Sequence, residues 1–202
     1  ILSVRLKTIW ATDTVPYMVF GRGATYLYDV PGVSNWNTLD AAGFFDSTLL
    51  IYNGILTYPT LSYSTGVNSA ISHYRFFRNE ALNPRVFIWL QGENDSQNLT
   101  YSNAYEANLI AFVAGIREQF QNPDLPFIMV QLGAAYTGAN KAVINTAYAN
   151  IVASIPNTGL VSTSDFTGGT YYIPPSPYVH YNVKGAQLIA NRIADLIDAE
   201  NW

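Results

Sequence analysis

Short apolar runs bounded by polar turns alternate, along this chain, with longer stretches in which apolar residues return every three or four positions. The clearest run is Val86–Leu90 (VFIWL). It is β-branched and aromatic, which suits a strand buried on both faces, as in a parallel sheet covered by helices. Phe127–Leu132 and Gly159–Val161 are further runs of this kind, and Pro16–Phe20 is another, ended by Gly21-Arg22-Gly23. Residues 3–10 alternate loosely and predict an edge strand. Leu49–Tyr52 and Ile55–Tyr58 flank Asn53-Gly54, a strong hairpin signal.

The helical period appears in four places. Ile71, Tyr74 and Phe77 mark residues 67–81, and Tyr105, Leu109, Phe112, Val113, Ile116 and Phe120 form a stripe over 100–120. Val143, Tyr148, Ile151, Val152 and Ile155 mark residues 139–155. Leu188, Ile189, Ile193, Leu196 and Ile197 face inward from a last helix over 183–198. Strands alternating with helices of this length predict βαβ units around a mainly parallel sheet, in an α/β three-layer sandwich. Residues 25–47, rich in Gly, Pro, Asn and Asp, give no period and read as a long irregular connection. No repeat or linker interrupts the 202 residues, so a single domain over 1–202 is expected.

The chemistry begins where the best strand stops. Gln91-Gly92-Glu93-Asn94-Asp95 sets a carboxamide and carboxylates just past its carboxyl end, which is where open α/β sheets bind ligands. On pattern alone a solvated polar loop accounts for these residues equally well.

Composition narrows the classes. Hydrophobic residues are 49% and charged residues only 12%, about half the usual share of roughly 25%. A surface that is polar without being charged points to an extracellular, cell-surface or virion setting. A net charge of −4 leaves no basic stripe for nucleic acid. No run approaches the roughly 18 apolar residues of a membrane span. The absence of cysteine excludes disulfides and thiolate sites. No metal or organic cofactor is implied. The start at Ile1 suggests a processed chain or a piece of a longer one. Asn98-Leu99-Thr100 matches the N-glycosylation acceptor pattern and predicts an exposed loop ahead of the 100–120 helix.

Trp89-Leu90-Gln91-Gly92-Glu93-Asn94-Asp95, a tyrosine-bearing helix ending in Ile116-Arg117, and Leu125-Pro126-Phe127 follow one another in the order W-x-Q-G-E-x-D, Y, iR, lPf. His180-Tyr181-Asn182, Gly185 and Asn191-Arg192-Ile193-Ala194 match an H-y-n-x-x-G and R-x-A ending. Over residues 85–198 the chain resembles the SGNH hydrolases of the sialate O-acetylesterase-like, carbohydrate-esterase branch. The resemblance implies a flavodoxin-like sandwich and acyl transfer to water. In it a serine in a G-Q-S-N turn attacks an acetyl ester, a histidine takes its proton, and an aspartate three residues earlier orients the imidazole.

His180 fits the base, whereas His73 reads as an ordinary helix-surface residue. The acid position holds Pro177; Asp165 and Glu93 are the candidates to replace it. The nucleophile position is open between two registers, with a motif upstream of Ile1 as a third expectation. Pro16–Ala24 aligns as strand and turn but sets Gly23 where the serine belongs, while Gly32-Val33-Ser34-Asn35 keeps G-x-S-N after a segment that makes a poor strand. By the same resemblance Gln91, Glu93, Asn94 and Gly23 fall on the substrate side of the crevice. Two functions follow. One is a non-catalytic or impaired module, glycan-binding or structural, with a glycan or acetylated carbohydrate and the other subunits of a cell-surface or virion assembly as its expected partners. The other is an active carbohydrate O-acetylesterase using Ser34 and His180, with Asp165 as a displaced acid. Tyr26, Tyr28, Trp36, Tyr171, Tyr172 and Tyr178 would supply aromatic faces for a sugar.

Overall fold

The structure, a computed structural model, describes residues 2–12, 27, 51–52, 55–56, 84–175 and 178–202. The predicted Pro16–Phe20 strand and 67–81 helix, and the positions of Gly23, Ser34 and Pro177, lie outside them. The chain divides into two compact units. One holds Ile1–Tyr17, Arg85–Glu106 and Asp124–Trp202, and the other holds Met18–Pro84 and Ala107–Pro123.

In the second unit, β1 (Ile51–Tyr52) and β2 (Ile55–Leu56) pair antiparallel, Tyr52 opposite Ile55, as the hairpin signal in the sequence predicts. Leu109, Phe112, Val113 and Ile116 are buried along the stripe expected of them.

The first unit is built on β3 (Phe87–Trp89), β4 (Phe127–Val130) and β5 (Thr158–Val161), parallel and in that order. The connections run through α2 (Leu99–Gln119) and α3 (Lys141–Ser154), so all three strands end at one edge. Every residue of β4 is buried, as a strand flanked on both sides requires. β3 departs from expectation. Phe87 and Trp89 are buried while Ile88 is 37% and Leu90 47% exposed, so one face is covered rather than two. Among the described residues β3 stands at the end of the sheet.

Residues 3–10 correct the reading more sharply, since they form a helix, α1 (Leu2–Ile9). A strand would have put Val4 and Leu6 on one face, yet Val4 is 66% exposed and Leu6 buried. Leu2, Leu6 and Ile9 instead share a helical stripe packed on a core of Ile128, Val130, Val161, Phe166, Ile189, Ile193 and Ile197. The last three come from α5 (Val183–Glu200), whose spacing of four presents them on one face. Each such side chain stabilises the fold by about 1.5–3 kcal/mol when fully buried. The Asn182 side chain caps α5 by accepting from Gly185 N at 3.0 Å, and Asn201 ends it in the left-handed region. A short helix, α4 (Gly168–Tyr171), precedes the loop that returns to α5. No described helix is long and apolar enough to cross a membrane.

Candidate active site

Past β3 the chain turns on Gly92, whose φ of +120° suits glycine alone. A Cβ there would come within 2.9 Å of Ile144 Cγ2 and 3.2 Å of the Tyr105 and Tyr148 hydroxyls. The turn sits on a closed polar network. Tyr105 donates to Gln91 Oε1 at 2.8 Å, and Gln91 Nε2 donates to Asp95 Oδ2 at 2.7 Å. Trp89 Nε1 donates to the Tyr105 oxygen at 3.1 Å, and Tyr148 donates to the Gln91 carbonyl. Burial, the largest cause, raises the pKa of both phenols, so they remain neutral hydrogen-bond donors. Gln91, expected on the substrate side, is only 7% exposed, and both ends of its amide are engaged within this network. Its side chain thus ties the loop to α2.

The next residue out is the chemically available one. The Glu93 carbonyl accepts from the Tyr136 hydroxyl at 2.6 Å and the Ser96 hydroxyl at 2.7 Å. The half-buried Glu93 carboxyl, by contrast, takes no side-chain hydrogen bond from a described residue. Burial raises its pKa most; its own backbone amide and the charge of His180 lower it, and Asp95 raises it. The charge of His180 therefore reaches the Glu93 carboxyl just past the carboxyl end of β3. Asn94 is partly exposed in the same turn and begins the 3₁₀ turn Asp95–Gln97.

His180 is presented on an exposed bend. Its carbonyl accepts from Ile173 N at 2.9 Å, and the Tyr172–Tyr181 bridge closes the strip behind it. Phe166, Tyr171, Tyr172, Tyr178 and Tyr181 form a continuous ring cluster beside it.

Asp165 has another partner. Its two oxygens meet Arg192 Nη1 and Nη2 at 2.7 and 2.6 Å, a fork that lowers its pKa. The exposed carboxylate ties the loop after β5 to α5, so the expected displaced acid already holds a partner of opposite charge. Sequence reasoning missed Tyr136, which no period or motif marks; Tyr172 stood among the expected aromatic faces and Tyr181 within the H-y-n match, but nothing in the sequence pairs the two across a bridge. Asn98 is exposed ahead of α2 as expected, and its Oδ1 caps that helix by accepting from Thr100 N at 2.8 Å. Among the described residues no cluster of His, Asp and Glu is placed to hold a metal ion.

The family described as carbohydrate esterase, sialic acid-specific acetylesterase, matches residues 63–198. The chain belongs to this family. In structure it is similar to a carbohydrate acetylesterase from Xanthomonas citri, at 20% identity and a TM-score of 0.54, over 84% of this chain and 37% of that one. It is similar also to a protein from Arabidopsis thaliana, at 17% identity and 0.52, over 64% of this chain and 50% of that one. The chain therefore spans half or less of the length of these two neighbours, and at such identity they show the fold alone. A search of curated protein sequences finds no match. The α/β architecture and the carbohydrate acetylesterase-like character expected from the motifs both hold.

Proposed function

We propose that this domain recognises acetylated carbohydrate at the carboxyl edge of β3 with its hydrolytic machinery impaired. The observation that carries this reading is the residue three places before His180. Where D-x-x-H supplies an acid, this chain has Pro177, with neither charge nor backbone donor, while Asp165 is committed to Arg192. A triad acts as a unit, so losing its acid removes most of its catalysis. The low charge supports a setting in a cell-surface or virion assembly, where the domain serves as a glycan-binding or structural module.

A second reading rests on a different observation. The Glu93 carboxyl has no described side-chain partner and lies within electrostatic reach of His180. That arrangement favours an active O-acetylesterase in which Glu93 steadies the imidazole and Ser34 attacks.

Purified protein assayed on p-nitrophenyl acetate and on acetylated xylan or sialic acid separates the two. Binding of acetylated sugar without turnover above buffer supports the first reading. Turnover that disappears in both Ser34→Ala and His180→Ala, and drops at least about tenfold in Glu93→Gln, establishes the second.

A further inference from the structure

We infer that Tyr136, on the loop between β4 and α3, is a positioning residue that sets where the Glu93 carboxyl stands. This rests on the reading of Glu93 and His180 as the working edge of the site.

Four observations converge on it. First, the Tyr136 hydroxyl donates to the Glu93 carbonyl at 2.6 Å, lies 2.9 Å from Ser96 Oγ, and accepts from Gln97 Nε2. Three oxygens share two hydroxyl protons there, so the phenol ties together three of the five residues from Glu93 to Gln97. Second, the loop that carries Tyr136 is itself clamped. Lys141 Nζ donates to the carbonyls of Gly133, Ala134 and Tyr136 at 3.2, 2.8 and 2.7 Å. Third, Asn140 binds the Ser96 carbonyl twice, through Nδ2 at 3.1 Å and its backbone amide at 2.9 Å. Fourth, the two loops touch so closely at Gly138 that a Cβ there would fall 2.3 Å from Ser96 Oγ and 2.5 Å from the Tyr136 ring. A backbone held this firmly, carrying a carboxyl without a described side-chain partner, is built to aim that carboxyl. Of these contacts only the Tyr136 hydroxyl reaches Glu93 from outside its own turn.

The test is a carboxyl-carbon NMR titration of Glu93, its signal assigned by loss in Glu93→Gln. The charges that act on this carboxyl are those of His180 and Asp95, while its own charge raises the pKa of the Tyr136, Tyr148, Tyr172 and Tyr181 phenols, which are neutral where Glu93 titrates. In the otherwise unchanged protein, His180→Gln is expected to move the Glu93 midpoint up, because a favourable charge is lost. In Tyr136→Phe the midpoint is expected to fall toward the ordinary carboxylate range as the group relaxes into solvent. Its response to His180→Gln should shrink at least twofold, a coupling that a purely structural tyrosine would leave intact. An unchanged midpoint and an undiminished response in Tyr136→Phe overturn the inference while leaving the Glu93–His180 reading in place. A Glu93 midpoint indifferent to His180→Gln in the parent protein overturns that reading, and the inference with it. Should Tyr136→Phe fail to fold, Gln97→Ala at an exposed position removes a donor to the same phenol. It is then expected to move the midpoint in the same direction by a smaller amount, and no movement overturns the inference.

Discussion

Burial raises the Glu93 pKa, so its ionised form works against folding. Between the ordinary value of 4.5 and the raised folded value, the native state holds a proton that the unfolded chain has released. Stability therefore falls as pH rises through that window and stays lowered above it. Glu93→Gln keeps the shape and removes the charge. It is expected to be more stable than the parent at neutral pH, with the gain fading below the ordinary carboxylate pKa and a simultaneous loss of acetylated-sugar binding. Urea denaturation at several pH values reads this, and a variant less stable at pH 7 contradicts it. Tyr178 carries a cost of another kind. Ala11, Gln121, Asn157, Tyr178 and Asn201 are the described non-glycine residues with positive φ, and four of them follow helix ends, where that conformation is a common terminator. Tyr178, at φ 53°, follows none and stands two residues before His180. Tyr178→Gly is expected to be more stable than Tyr178→Ala by about 1 kcal/mol, the left-handed penalty of a Cβ. In an ordinary backbone position the order reverses.

At the level of elements, the loop after β3 depends on Gly92 for both its dihedral and its space. Gly92→Ala is expected to cost about 3 kcal/mol or more, since strain and a 2.9 Å contact with Ile144 act together. Ile193→Ala on α5 is expected to cost about 2–5 kcal/mol from cavity formation alone. Chemical denaturation ranks them, and a Gly92→Ala cost under about 1 kcal/mol would contradict the account. Elements with long, unambiguous periods were legible in the sequence: α2, β4, β5 and α5 lie where their patterns placed them. α1 was not, because eight residues accommodate either period until a partner surface is known, and here α5 chose the helix. On α3 the buried set is Ile144, Ala147, Tyr148 and Ile151, with Val152 38% exposed. That is a small rotation of the predicted stripe, and alanine carries too weak a signal to reveal it. Within the candidate site, ordered motifs in the sequence single out Glu93 and His180. The inward turn of Gln91 and Asp95 was not legible, because it depends on tyrosine hydroxyls arriving from α2 and α3. A polar tetrad after a strand looks alike whether it faces solvent or a buried phenol.

For the whole molecule the low charge has a consequence for how the fold is held. With 12% charged residues and a net charge of −4, long-range electrostatics contribute little to stability. The ion pairs among described residues are Arg5–Asp195 and Arg192–Asp165, both 2.6 Å and both partly solvent-exposed. Pairs of this kind contribute about 0–1 kcal/mol each and are screened as salt rises. Apolar burial dominates instead, through α1 and α5 against the sheet and through a fully buried β4. Raising sodium chloride from about 0.05 to 0.5 M, a range over which the Debye length falls to about a third, is therefore expected to leave the unfolding free energy within about 1 kcal/mol of its starting value. Urea denaturation at the two salt concentrations measures it. A loss of more than about 2 kcal/mol at high salt would mean that ion pairs, not apolar packing, hold this fold together.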